Sequence, residues 1–300
     1  MKPCYCLILL LFLGSCISVS KEQRAIVQQF AVNTANFSTL PEKLWMELAE
    51  IRELRGIYYA NSFTDPFTHL NELNDIVRER FSNDKVPARV RPVFKILENY
   101  ANGLVSLSSD APAKANSKLY GTFGAQLETL TGDYNQVTEV GKLPSGLGTL
   151  LGETLSLGTN TYLSNRQYKA LKRYVNQADT LVSCLCSEME KYLSSELLVQ
   201  LIANEDSGLG ESFGFYFAKR MPPTIESERD YIGLKKRIVV LKEFRQQTIE
   251  AVKKLRIAHL ALEESLNETK TVKEIAATLC GFYTEVERLY KMLNEINNKR

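Results

Sequence analysis

Between Ser145 and Ile202 the chain runs for some fifty-eight residues without a proline, and the spacing predicts one helix over the whole stretch. At about 1.5 Å of rise per residue such a helix would reach roughly 85 Å, so the molecule should be elongated and the rod needs neighbours along its length. Its middle supplies the seam for them. Leu171, Val175, Ala178, Val182, Leu185, Met189 and Tyr192 alternate steps of four and three, which keeps one apolar stripe facing a partner helix. A chain organised on such a rod is expected to be all-α, an elongated antiparallel bundle with long coiled-coil-like helices.

The flanking sequence repeats the same rhythm. Pro41 suits the first turn of a helix that carries Leu44, Leu48, Ile51, Leu54 and Tyr58 on one face, and Asp65-Pro66 ends it and starts a shorter one through Leu70, Leu73, Val77 and Phe81. Asn83 to Pro87 reads as a turn, followed by a helix with Val93, Leu97, Tyr100, Leu104 and Leu107; Ser108 to Pro112 stops that helix and caps the next. From Ala113 to Val140 the period is helical again despite Gly121, Gly124 and Gly132, and Gly141 to Pro144 should turn the chain into the long rod as an antiparallel hairpin. Asn204 to Thr224 combines Gly208, Gly210, Gly214, Pro222 and Pro223 with Phe213, Phe215 and Phe217. This is the one stretch expected to be non-helical, with its alternating rings on a short extended segment. Helices then resume over about Glu226 to Leu266, with the seam Leu241, Phe244, Thr248, Ala251, Leu255, Ala258 and Leu262, and over Thr271 to Asn297, with Val272, Ile275, Leu279, Phe282, Val286, Leu289, Leu293 and Ile296.

The first residues carry an address. Lys2 precedes a mostly apolar run, Cys4 to Leu13, too short to span a bilayer and followed by small Gly14 and Ser15, the pattern of a secretory leader. Leu13-Gly14-Ser15-Cys16 resembles the lipobox of bacterial lipoproteins. That resemblance implies cleavage before Cys16, a diacylglycerol on its thiol and usually a further acyl chain on its amine; two or more chains are what stable anchoring requires. Ile17 stands where an aspartate would retain such a protein at the inner membrane, so the resemblance implies the outer membrane, facing the periplasm or the surface. LENYANGLVSL (residues 97–107) and RQYKALKRYVNQAD (residues 166–179) also resemble stretches of uncharacterised helical envelope lipoproteins, a likeness that brings no activity with it. The expected organisation is therefore a signal peptide over 1–15, a lipidated N-terminus and tether over 16–40 that passes into a first helix near Glu22, and the bundle over 41–300, with shorter helices in 41–110 and longer ones in 111–300 interrupted by the loop 204–224.

Reaction chemistry is hard to find. Past Cys16 the chain has three cysteines, Cys184, Cys186 and Cys280, so no disulfide framework holds the fold; they read as buried free thiols, with a bridge from Cys184 or Cys186 to Cys280 as the alternative. The two histidines, His69 and His259, have Pro66 and Arg256 three residues earlier, where a di-iron bundle would place glutamates. Gly146 to Gly152 resembles a dinucleotide fingerprint only superficially, because its last glycine is one place late and no strand precedes it. No nucleophile elbow, phosphate loop or zinc motif is present. A formal net charge of +2, or +1 without a leader containing Lys2, gives no footprint for nucleic acid. No catalytic residue, metal or cofactor is assigned.

Two stretches remain as candidate contact surfaces. Residues 143–163 hold one charge, Glu153, among Leu147, Leu150, Leu151, Leu155 and Leu157, with Gly148 and Gly152 four apart. They either bury in a tight helix crossing or form a membrane-inserting end, as in cytolysin A-type pore-forming toxins, which this chain resembles in architecture only. Phe213, Phe215 and Phe217 either cover the bundle's own core or meet a partner. Arg166, Lys169, Lys172 and Arg173 read as a solvated face that gains meaning if it aligns in space with Lys235, Lys236 and Arg237. The expected role is that of a lipid-anchored envelope protein of structural or protein-interaction type, with the membrane and an envelope protein as candidate partners; the alternative is a membrane-active protein using residues 143–163.

Overall fold

The computed structural model describes residues 20–83, 90–109, 113–137, 142–156 and 163–297, and every regular element among them is a helix. In chain order these are α1 (Lys21–Ala60), α2 (Pro66–Asn83), α3 (Val90–Ser108), α4 (Ala113–Val137), α5 (Leu147–Ser156), α6 (Leu163–Leu193), α7 (Glu196–Lys219), α8 (Ile225–Leu266) and α9 (Val272–Asn297). The protein is an all-α bundle. The leader with Cys16 and residues 84–89, 110–112, 138–141, 157–162 and 298–300 fall outside the described residues.

Two continuous helices run the length of the molecule. α1 has 40 residues and α8 has 42, about 60 Å each at 1.5 Å per residue. They lie antiparallel, because Gln23 of α1 donates to the Ser265 carbonyl at one end (2.6 Å) while Arg237 pairs with Glu47 and Tyr58 donates to Asp230 towards the other. α6 and then α7 follow α1 in the same direction: Arg24 lies 4.8 Å over the Tyr168 ring, Trp45 is 5.7 Å from Tyr192, and Glu205 meets Arg52 and Arg55. α9 closes the half near Ser20, with Phe282 6.0 Å from both Phe30 and Phe37. The seams expected in α3, α6 and α8 are buried almost in full, and so is that of α9 apart from Val272 and Leu293, which are half-buried.

Four expectations need correction. The first helix expected near Glu22 starts at Lys21 but does not end before a second one, since Pro41 lies inside α1 rather than at a helix start. A proline in a helix interior costs about 3 kcal/mol, but Val27, Phe30, Phe37, Leu40, Pro41, Leu44, Leu48 and Ile51 are all buried, and this seam continues across the proline without a change of phase. Tertiary burial outweighs the missing hydrogen bond. The rod expected from Ser145 to Ile202 is divided into α5, α6 and the start of α7. Ser195 leaves the helical conformation (ψ 143°) and its hydroxyl accepts from Leu198 N–H, with Glu196 in the first turn, so a new helix begins there.

The loop expected over 204–224 is also mostly helix, since α7 continues to Lys219 through three glycines. Each glycine costs about 1 kcal/mol relative to alanine, but Ile202, Glu205, Leu209 and Phe213 recur at helical spacing and are buried. Gly208 has a specific use: a Cβ there would stand 2.9 Å from the Arg55 guanidinium carbon. Finally, α2 is turned partway from its expected seam. Ile76 packs on Gly56 of α1 and Leu73 is half-buried, whereas Leu70 and Val77 are exposed.

The expected hairpin of α4 with the helix after Pro144 is present. Asn135 donates to the Leu143 carbonyl (2.8 Å) and accepts from its N–H (2.7 Å), and the Glu128 carboxylate accepts from Gly146 and Gly148 N–H (2.8 Å each) at the start of α5. Negative charge is favoured at that helix end. The backbones touch at Gly124 and Gly148, where a Cβ on either residue would overlap the carbonyl oxygen of the other. Gly148→Ala is therefore expected to destabilise the protein by about 1–3 kcal/mol. Gly132→Ala, with nothing within 4 Å of the new methyl, should stabilise it by about 0.4–1 kcal/mol. Urea unfolding followed by circular dichroism checks both signs.

Candidate functional site

Of the candidate residues in the chain, Leu147, Leu150, Leu151 and Phe213 are buried, Phe217 is half-buried and Phe215 is exposed. The first three belong to the interior around the α4–α5 hairpin, where Leu151 also reaches α3 beside Gly103. The three phenylalanines lie at the opposite end of the long axis from Ser20, where α1 and α7 finish and α8 begins. They do not share a face. Residues four apart on a helix lie together, whereas those two apart diverge, so Phe213 and Phe217 turn inward and Phe215 turns out.

The inward pair is fixed by aromatic contacts. The Phe213 ring is 4.0 Å from that of Tyr58, 5.2 Å from Tyr231 and 5.7 Å from Phe217. The Tyr58 hydroxyl donates to Asp230, and burial together with that carboxylate pushes its pKa upward. Phe215 instead packs against Tyr59 at 5.9 Å, and Tyr59 against Phe63 at 5.2 Å. With Phe67 exposed on the first turn of α2, this end of the bundle shows an aromatic surface to solvent. Tyr59, Phe63 and Tyr231, which the sequence reading did not select, complete it; the local signal was a Tyr-Tyr pair closing α1 a few residues before Phe63.

Charged groups brace this end. Glu205, buried on α7, accepts from Arg52 (2.6 Å) and Arg55 (2.7 Å), both three-quarters buried on α1. Arg237 of α8 is buried against Glu47 and lies 3.2 Å from Glu50. Asp206 is held by Lys235 (2.5 Å) and Lys242 (2.6 Å), and these two ammonium groups keep its carboxyl below the usual carboxylate range. Lys235 and Arg237 are thus engaged in internal pairs. They also lie far along α8 from Lys169, Lys172 and Arg173, which sit near Arg24 at the Ser20 end, so the two basic clusters do not align.

The interior of the other half holds one polar chain. The Tyr100 hydroxyl is 2.8 Å from His259 Nε2, and His259 Nδ1 is 3.7 Å from Asp179. A proton on Nδ1 facing the carboxylate leaves Nε2 to accept from the tyrosine. Tyr100 and His259 are fully enclosed while the Asp179 side chain is half exposed, so the array ties α3, α6 and α8 together from the interior out to the surface. His69 Nδ1 lies 2.8 Å from the Ala60 carbonyl at the end of α1. Cys184, Cys186 and Cys280 are free thiols, with Cys186 buried and its pKa pushed up to about 12 by burial, and Cys280 exposed rather than buried. Among the described residues no group of three or more possible ligands is placed to hold a metal ion, and no helix is long and apolar enough to cross a membrane.

Compared with known proteins, the chain matches no family model, no curated protein and no solved structure.

Two outcomes follow for the charged brace. Glu205→Ala strands Arg52 and Arg55 beside an apolar interior, and should lower stability by about 3–5 kcal/mol in urea unfolding. Because the folded pKa of Asp206 is depressed, its contribution is complete above the ordinary carboxylate pKa of 3.8 and disappears as the pH falls through the lower folded value. The stability difference between wild type and Asp206→Asn should therefore be constant above that pH and shrink below it.

Proposed function

We propose that this chain is a lipid-anchored cell-envelope protein of the protein-interaction type, acting through its surface and without catalysis. One observation carries the reading. Cys16 lies four residues before Ser20, which caps α1 at one end of a helix about 60 Å long, and the aromatic surface on which Phe67 and Phe215 are exposed beside half-buried Tyr59 and Phe63 lies at the other. An acylated Cys16 holds the Ser20 end at a lipid surface and carries the aromatic end away from it, where it meets a protein partner. Aromatic side chains are enriched at such contacts.

Further support comes from the anchor end. Lys169 and Arg173 are exposed there, beside the start of α1, and basic side chains near an anionic membrane contribute about 1 kcal/mol each. The burial of Leu147, Leu150 and Leu151 favours this reading over a membrane-active one, which needs those side chains released from the α4–α5 hairpin.

The test is metabolic labelling with palmitate. Label is expected on the wild-type chain and absent from Cys16→Ala, which should move from the membrane to the soluble fraction; equal labelling of the two overturns the anchor.

A further inference from the structure

The outer face of α8 near its start carries a row that the bundle does not use. Ile225, Ile232 and Val239 are spaced by seven, two helical turns, and are 68%, 50% and 54% exposed. α9 leaves this row open. Its last turns, with Met292 and Glu295, lie beside Val240 and Glu243, so the helix ends where the row begins. Glu228 and Lys236 flank Ile232 on the same outer surface, both exposed.

We infer that this face of α8 is an antiparallel self-association surface, its occupant the same face of a second copy of this chain. A two-fold axis at Ile232 places each residue opposite the one whose number completes a sum of 464. Ile232 then meets itself and Ile225 meets Val239, so the apolar row is complementary to its own reverse. Glu228 falls opposite Lys236 of the second copy, twice over, giving two ion pairs from side chains the bundle leaves unused. Arg229 and Lys235 are also brought near one another, but Lys235 is already neutralised by Asp206.

A parallel pairing would stack Glu228 on Glu228 and Lys236 on Lys236, and like charges in contact disfavour it.

The contact lies at the end remote from Ser20, and antiparallel pairing sends the two bodies in opposite directions. Each copy extends about 50 Å from Ile232 to Leu266, which places the two Ser20 ends roughly 100 Å apart. This last consequence rests on the lipid-anchor reading and makes the contact one between two facing membranes; the α8 pairing itself does not depend on it.

Cysteine crosslinking of the full chain, purified in detergent on a Cys184→Ser, Cys280→Ser background, tests the pairing. Under mild oxidation Ile232→Cys should give a disulfide-linked dimer, whereas Ile257→Cys, exposed on the same helix but outside the overlap, should not. Glu228→Lys or Lys236→Glu alone should cut the crosslinking yield about tenfold, and the two together should restore it. Absence of crosslinking at 232, equal crosslinking at 232 and 257, or failure of the double exchange to rescue would each overturn the inference. These substitutions are at exposed positions, and an unchanged circular dichroism spectrum shows that the fold is retained. Crosslinking at 232 without palmitate on Cys16 would remove the membrane-bridging consequence and leave the pairing standing.

Discussion

The buried face of α1 is the constraint on which the other helices depend. Phe30, Phe37, Leu44, Leu48 and Ile51 run along it as one stripe, and α3, α6, α7, α8 and α9 each meet some part of it. Because that stripe does not change phase at Pro41, the helix stays whole, and with it the long axis of the molecule. Burial at roughly 25 cal/mol per Å² over several large side chains exceeds the cost of one interrupted backbone hydrogen bond. An interruption at residue 41 would separate the half of the bundle that packs on Phe30 from the half that packs on Ile51.

The two halves are held differently. Near Ser20 the contacts are mostly apolar, with Phe282 between Phe30 and Phe37 and a hydroxyl–imidazole pair enclosed beside the half-exposed Asp179 carboxylate. Towards the aromatic end fewer helices surround α1, and ion pairs at Glu205, Arg237 and Asp206 replace much of the apolar packing. Buried pairs specify geometry more than they add stability. Here they act with the contacts of Phe213 to Tyr58 and Tyr231 in setting the register of α7 and α8 against α1.

Helix identity was legible wherever one apolar stripe had one partner. The seams of α8 and α9 were read almost residue for residue, because an isolated three-and-four rhythm has a single interpretation. Boundaries were less legible. Ser194-Ser195-Glu196 carried a capping signal, but a periodic seam on both sides masked it; Pro41 carried a start signal that the continuous core overrode. In α7 the alternation of Phe213, Phe215 and Phe217 suggested a strand, yet the burial of Glu205 at the same helical phase as Leu209 and Phe213 requires arginines from a helix 150 residues earlier in the chain. No local pattern contains that pairing. The aromatic end was half visible for the same reason: its phenylalanines were apparent, while Tyr59 and Tyr231 join them only through the packing of α7 on α1 and α8.

The break at Ser195 has a mechanical consequence. α1 and α8 pass it without interruption, while the strut made of α6 and α7 is jointed there, so bending stiffness falls at one level of the molecule and tensile continuity does not. A pull between the two ends loads every side-chain contact between the unbroken pair at once, in shear, and sideways deflection is taken up at the joint. The protein is built to lean without unravelling.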